Sequence, residues 1–342
     1  MKKVTVIAPA NIAFIKFWGR LDDELFLPLN SSISMSMSNC LTTTTAMLDH
    51  DLKEDMVEIK SNNEKEYQQI QKNGEIKDKN IFEQIARIRN LSDIKTKVRI
   101  RTFNSFPANS GIASSASGFS ALTAALLLIY GLRDKFADKQ ELSRQVRLCG
   151  SASAARSVYE GVVELLAGKT HEQSYAVKLY DKNYWDLIDL VCIIDPGKKK
   201  VSSSQGHLKS SSSHFMTARQ AELPQRIKDC KLALKNKDLK LLGEVIEADA
   251  LSMHAVMLTQ EPALIYWEPG TISVMKQLIS MREDKGLFAY FTMDAGANVH
   301  VITTAKYQTQ VLKELKTNPF IKDIIVNSAG EGIKISDEHL IN

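Results

Sequence analysis

The sequence predicts an α+β fold in two domains, on three observations. Strand-like and helical stretches are mixed without the regular βαβ period of a doubly wound protein. At 342 residues the chain can bury a large core and is long enough for two domains. Its character changes near residues 186–200, where a buried strand gives way to a Lys/Ser-rich loop and then to long helices. No internal repeat is apparent.

In chain order, VTVIAPANIAFIKFWG and SISMSMSNCLTTTTAML read as strands, the second alternating apolar residues with Ser or Thr as a half-buried strand should. The polar stretch SNNEKEYQQIQKNGEIKDKN reads as a surface loop, IFEQIARIRNLSD as a helix and KVRIRTFNSF as a strand. SSASGFSALTAALLLIYGL is apolar on every side, which predicts a buried helix. ELSRQVRLCGSASAARSVYEGVVELLAG suggests two helices joined around Gly150, and WDLIDLVCIIDPG a buried strand. Helices are expected around RQAELPQRIKDCKLALKN, LKLLGEVIEADALSMHAVM and TISVMKQLISMRED. Strands within AYFTMDAGANVHVIT, a helix near AKYQTQVLKELKT and a strand at IKDIIVNS complete the chain.

Apolar residues make up 44% and charged residues 25%, ordinary values for a globular protein. The net charge of +4 is mild, and its Lys and Arg residues are spread along the chain. That argues against a nucleic-acid-binding arm and suits anionic small-molecule substrates. Cys40, Cys149, Cys192 and Cys230 are far apart, with no CxxC and no His at ligand spacing, so a reduced, cytosolic protein is expected. The N-terminus superficially mimics a signal peptide, but Pro9, Asn11 and Lys16 break its apolar run. The other long run, ALTAALLLIYGL, is too short to span a bilayer. A cytoplasmic location follows as the expectation.

Residues 105–121, SFPANSGIASSASGFSA, place small residues between a strand and a helix. Unpaired N–H groups at a helix start, with the helix dipole behind them, bind anions, and small side chains let phosphate approach the backbone. Ser114 and Ser115 add hydroxyls for a phosphate or its Mg²⁺. The loop is neither a Walker A motif nor G-x-G-x-x-G. A capped, closely packed helix is the competing reading. Asp294 stands where an apolar strand opens into a tight turn, either as a capping residue or as a functional carboxylate. Arg156 lies among small residues in SASAARS, and Lys16 interrupts NIAFIKFWG, where it either snorkels or faces a buried anion.

The segment P107-A-N-S-G111-I-A-S-S-A116 is similar to the phosphate loop of the GHMP superfamily of small-molecule kinases. More specifically, the blocks 11–34, 104–122, 150–164, 199–207 and 289–299 resemble the diphosphomevalonate decarboxylase family. This resemblance implies a two-domain fold. Residues 1–188 would form an ATP-binding domain like the second domain of ribosomal protein S5, and 189–342 a ferredoxin-like domain. It implies ATP-dependent decarboxylation of 5-diphosphomevalonate to isopentenyl diphosphate through transient 3-phosphorylation, with Mg²⁺ and in a homodimer. In that family's terms Asp294 would contact the 3-hydroxyl, Arg156 would hold the substrate carboxylate, and Lys16 would keep Asp294 ionised. Phe17, Arg20, Ser151, Ser153, Ser203 and Ala295 would join Arg156 around the substrate. Pro107, Gly111, Ala113, Ser114, Ser115, Lys200 and Ser202 would contact ATP, with Ser115 on Mg²⁺. The run KKKVSSSQGHLKSSSS would be a mobile loop closing over anionic ligands. His254, in SMHAVM, is expected to be a packed or surface residue without a catalytic role.

Four positions depart from the family's usual pattern. Phe17 replaces an aromatic with a hydroxyl, Arg20 a Lys, Ala297 a frequent Pro, and Ser204 an Arg found in some members. These changes bear on whether the substrate carries one or two phosphates at the 5-position. The rivals are a phosphomevalonate decarboxylase, a mevalonate-type kinase that stops after phosphorylation, and a sensor that binds ATP without consuming it.

Overall fold

β1 (Lys3–Ile15) leads through a small ribbon, β2 (Arg20–Asp22) and β3 (Leu27–Pro28), into β4 (Ser32–Asp49), the organising strand of the first sheet. The structure is a computed structural model describing residues 2–72, 75–76, 78–107, 114–195, 197 and 203–341. After β5 (Met56–Ser61) come β6 (Gln68–Gln69), β7 (Gln71–Lys72) and β8 (Glu75–Ile76), then α1 (Lys79–Asn90), β9 (Lys97–Asn104) and α2 (Ser114–Ile129). The stretch expected to be a plain loop thus holds short strand pairs. α3 (Arg133–Ala137), α4 (Lys139–Arg147), a 3₁₀ helix (Ala152–Val158), β10 (Val162–Leu165) and β11 (Ala176–Tyr180) finish this half.

β4 pairs with β1 along one edge. Its other edge pairs with β10 over Ser32–Met35 and with β9 over Thr42–Asp49. The register between β1 and β4 shifts between Pro9 and Asn11, where proline has no N–H to give the ladder. Past that bulge, Asn11 Nδ2 reaches the 3₁₀ helix, donating to Ser157 Oγ at 2.9 Å and to the Ser153 carbonyl at 3.2 Å. Ser32, Ser34, Ser36, Thr42, Thr44 and Thr45 of β4 are buried rather than facing solvent as the alternation suggests, and Ser38 and Thr43 are partly exposed. Thr44 pairs with Thr102 at 3.0 Å, and Thr42 Oγ1 lies 2.7 Å from both Asn104 Oδ1 and Ser117 Oγ, all within the buried interior.

The second helix expected after Gly150 is limited to the short 3₁₀ helix Ala152–Val158, and the rest of that segment becomes strand β10. Gly161 sits at φ 68°, and a Cβ there would come within 2.3 Å of the Tyr180 carbonyl. This turn directs β-branched Val162 and Val163 into the sheet between β4 and β11.

The second half contains β12 (Leu187–Ile193), α5 (Ser203–His207), α6 (Met216–Asn236), α7 (Leu239–Thr259), α8 (Pro269–Lys285), β13 (Tyr290–Thr292), β14 (Val299–Thr304), α9 (Ala305–Leu315), β15 (Asp323–Ser328) and β16 (Lys334–Ser336). Its antiparallel sheet runs β13-β14-β12-β15, while β16 returns to pair with β1. α8 and α9 cover one face of that sheet. On its other face, Leu223 and Leu234 of α6 and Val245 and Ile246 of α7 share one core with Ala10, Ile12 and Phe14 of β1. No helix among the described residues is long and apolar enough to cross a membrane.

Candidate active site

Lys16 emerges where β1 ends, and Asp294 follows β13 at the opening of the DAG turn. The two meet: Lys16 Nζ lies 2.7 Å from Asp294 Oδ1. Lys16 is almost wholly enclosed, whereas Asp294 keeps 28% of its side chain exposed, so a ligand can reach the pair from the carboxylate side. Burial works against the Asp294 charge. The adjacent ammonium outweighs it, with His300 and Arg156 assisting, and the carboxyl lies below its ordinary range. Burial lowers the Lys16 ammonium, an effect Arg156 reinforces and Asp294 opposes.

Arg156 comes from the 3₁₀ helix and is buried. Its Nε donates to Asn11 Oδ1 at 3.2 Å and its Nη1 to Ser32 Oγ at 2.5 Å, fixing the plane of the guanidinium. Burial brings its pKa down to about 10, with Asp294 opposing. That helix packs on α2 through Ser120, whose hydroxyl donates to the Ala154 carbonyl at 2.8 Å. The three residues singled out from sequence therefore meet in one place, beside the helix that follows the small-residue loop. An ionised carboxylate backed by an ammonium, with a fixed guanidinium nearby, can orient a hydroxyl and bind an anionic group together.

The other expected positions fall around this centre. Ser151 and Ser153 hydroxyls are 2.8 Å apart at the start of the 3₁₀ helix. Ala295 is buried against Trp18, Met253 and Leu264. Phe17 stacks on His207 with ring centroids 4.9 Å apart, and the Trp18 ring lies 4.3 Å from the same imidazole. His207 Nδ1 accepts the Gly19 N–H at 3.0 Å, and Arg20 donates to Ser204 Oγ at 2.8 Å. α5 thus packs onto the 17–20 segment as a short helix within the run expected to be a mobile loop, of which 198–202 lie outside the described residues. Pro107 ends the described stretch before α2, and Ser115 is exposed in the first turn of that helix. Gly111, Ala113, Lys200 and Ser202 lie outside the described residues. Ser114 and Ser203 are the first residues of α2 and α5. Among the described residues no group of three or more His, Cys, Asp and Glu is placed to hold a metal ion.

Several contacts have no counterpart in the sequence reading. Asp249 accepts the Lys16 N–H at 2.7 Å, and Asn30 Nδ2 and Arg219 Nη2 each donate to the Lys16 carbonyl at 3.0 Å. His254 is packed, as expected, yet it also contacts the Asp294 main chain. One signal was available: Asp249 continues the apolar face of α7 set by Leu242, Val245, Ile246 and Met253, where a lone carboxylate needs a partner.

Comparison with known proteins accounts for nearly the whole chain. The diphosphomevalonate decarboxylase-like N-terminal domain matches residues 8–176, and the mevalonate 5-diphosphate decarboxylase C-terminal domain matches residues 189–335. The chain is 31% identical to a diphosphomevalonate decarboxylase of Candida albicans, over 92% of this chain and 88% of that protein. It is 29% identical to a phosphomevalonate decarboxylase of Haloferax volcanii, over 90% of each. A solved structure of MDDEF in complex with MVAPP, AMPPCP and magnesium superposes with a TM-score of 0.87, at 32% identity, covering 98% of this chain and 99% of that one. With its paired Lys16 and Asp294 and both domain types matched in order, the chain belongs to the diphosphomevalonate decarboxylase family.

Proposed function

We propose that the protein catalyses the ATP-dependent decarboxylation of 5-diphosphomevalonate to isopentenyl diphosphate, releasing ADP, phosphate and CO₂. The observation that carries this is the 2.7 Å contact between Lys16 and Asp294 with buried Arg156 in electrostatic reach of both. Asp294, held ionised, orients the 3-hydroxyl toward the terminal phosphate of ATP. A carboxylate is a weak base toward a tertiary alcohol, so positioning and electrostatics supply most of the rate. Arg156 grips the substrate carboxylate with its planar fork until the 3-phosphate departs. As positive charge develops at C3, Asp294 lies on the side that stabilises it. CO₂ then leaves and the alkene forms.

ATP enters as co-substrate over the loop that precedes α2. Ser115, exposed at the first turn, offers the hard oxygen ligand that Mg²⁺ prefers, and the ion when bound neutralises phosphate charge. The reading further places an ATP-binding domain over 1–188 and a second domain over 189–342, with the site drawn from both. It makes the protein a cytoplasmic homodimer, the location being supported by four free, buried cysteines.

Decarboxylation of phosphomevalonate is the second reading. It is favoured by the absent hydroxyl at Phe17, whose ring is covered by His207, and by Arg20 already engaged with Ser204 and Asp23. Purified protein offered ATP with mevalonate, its 5-phosphate or its 5-diphosphate distinguishes these cases. CO₂ from the diphosphate is expected. CO₂ from the monophosphate alone selects the second reading, ADP without CO₂ a kinase, and no ADP at all a sensor.

A further inference from the structure

Helix α7 touches the main chain of both partners in the central ion pair. Asp249 accepts the Lys16 N–H at 2.7 Å, and five residues later His254 Nε2 lies 3.2 Å from the Asp294 carbonyl oxygen. A carbonyl only accepts, so the ring donates from Nε2. Burial foremost, then the Lys16 charge, hold the imidazole's pKa at about 3 and keep it neutral. Arg219 of α6 steadies the arrangement. Its Nη1 donates to the Asp249 carbonyl and its Nη2 to the Lys16 carbonyl, both at 3.0 Å, and Nη1 also lies 3.1 Å from the Asp249 carboxylate.

Asp249 and Arg219 are among the least exposed residues in the molecule, and His254 is 1% exposed. Apolar side chains of similar size would serve stability as well or better at such positions. The polar groups here converge on main-chain atoms of one ion pair instead. Asp249 and His254 stand about 7.5 Å apart along a helix axis that resists stretching.

The geometry points to Asp249 and His254 as positioning residues: α7 sets the separation of Lys16 and Asp294 by holding the backbone of each. Neither touches a reacting atom. Besides Asp249, whose charge acts on Lys16, charged or titratable groups from neighbouring elements face this arrangement: Arg156 of the 3₁₀ helix acts on Lys16 and Asp294, His300 of β14 on Asp294, and Arg219 of α6 on His254. All three are unchanged in the variants below.

The inference rests on the proposed decarboxylase reading for its kinetic readout, and a substrate-free readout separates the two. His254→Ala, His254→Gln and Asp249→Asn are compared with wild type by kcat, by KM for ATP, and by ¹³C NMR titration of the Asp294 carboxyl. In His254→Ala and Asp249→Asn, kcat is expected to fall about 10- to 100-fold, as for a small misplacement of reacting groups, with KM for ATP nearly unchanged. The Asp294 titration moves to higher pH as Lys16 loosens. His254→Gln, which keeps an N–H donor, restores most of both. If His254→Ala loses thermal stability while kcat and the Asp294 titration stay at wild-type values, the role is structural and the inference falls. If Asp249→Asn does not fold, because the buried Arg219 charge loses its carboxylate, the two His254 variants decide alone. A wild type that releases no CO₂ overturns the decarboxylase reading, while the titration still tests the hold.

Discussion

Asp294 owes its charge chiefly to Lys16. Asp294→Asn keeps the shape of the site but removes the charge that, on the proposed reading, faces the 3-hydroxyl. Turnover should fall by at least about 10³-fold, while ATP binding, followed by calorimetry, is retained. Arg156→Lys should be nearly as damaging, because a single ammonium cannot reproduce a fork held by Asn11 and Ser32. The carboxylate contact proposed for Arg156 would show as a loss of CO₂ release measured with saturating ATP. Both charges of the ion pair bear on the pH profile. Asp294 is shifted down, so its charge persists below the ordinary 3.8 and the acid limb of kcat lies lower than a free carboxylate would give. Lys16 is shifted down from 10.5, so activity declines on the alkaline side before an ordinary lysine would deprotonate. Lys16→Arg, which stays charged, should extend that plateau upward in a pH–rate series.

Helix α7 meets β13 at Gly243, where an added Cβ would lie 2.1 Å from the Tyr290 ring. Gly243→Ala should therefore force helix and strand apart, lowering stability by about 1–3 kcal/mol as overpacking does. The same displacement should reduce kcat, since α7 also reaches Lys16 and Asp294. Urea midpoints and turnover measured on one preparation test whether both fall. Most helices could be read from apolar spacing, and α2 from its lack of any polar face. The segment after Gly150 could not, because its fate as a 3₁₀ helix and strand depends on a positive-φ glycine and a waiting edge of β4. Lys16, Arg156 and Asp294 stood out as charges in apolar or small-residue surroundings, and the family resemblance linked them. Asp249 and Arg219 did not, since their main-chain partners lie more than 200 positions away in two contacts and 30 in a third.

Acid should weaken the fold through its enclosed imidazoles. His207 and His254 have pKa values of about 3, each lowered from 6.5 first by burial and then by a nearby cation, Arg20 or Lys16. The unfolded chain binds more protons than the folded one between those values, so stability falls as pH drops from about 6.5 toward 3. Urea midpoints should decline between pH 7 and 5, and a His207→Gln/His254→Gln double variant should show a flatter dependence over that interval. One core joins Ile12 and Phe14 of the first strand to Val191, Leu223 and Ile246 of the later elements. Neither portion of the chain can therefore melt by itself without stripping apolar surface from the other. Loss of catalysis in rising denaturant should track global unfolding, leaving no inactive but otherwise native species in between.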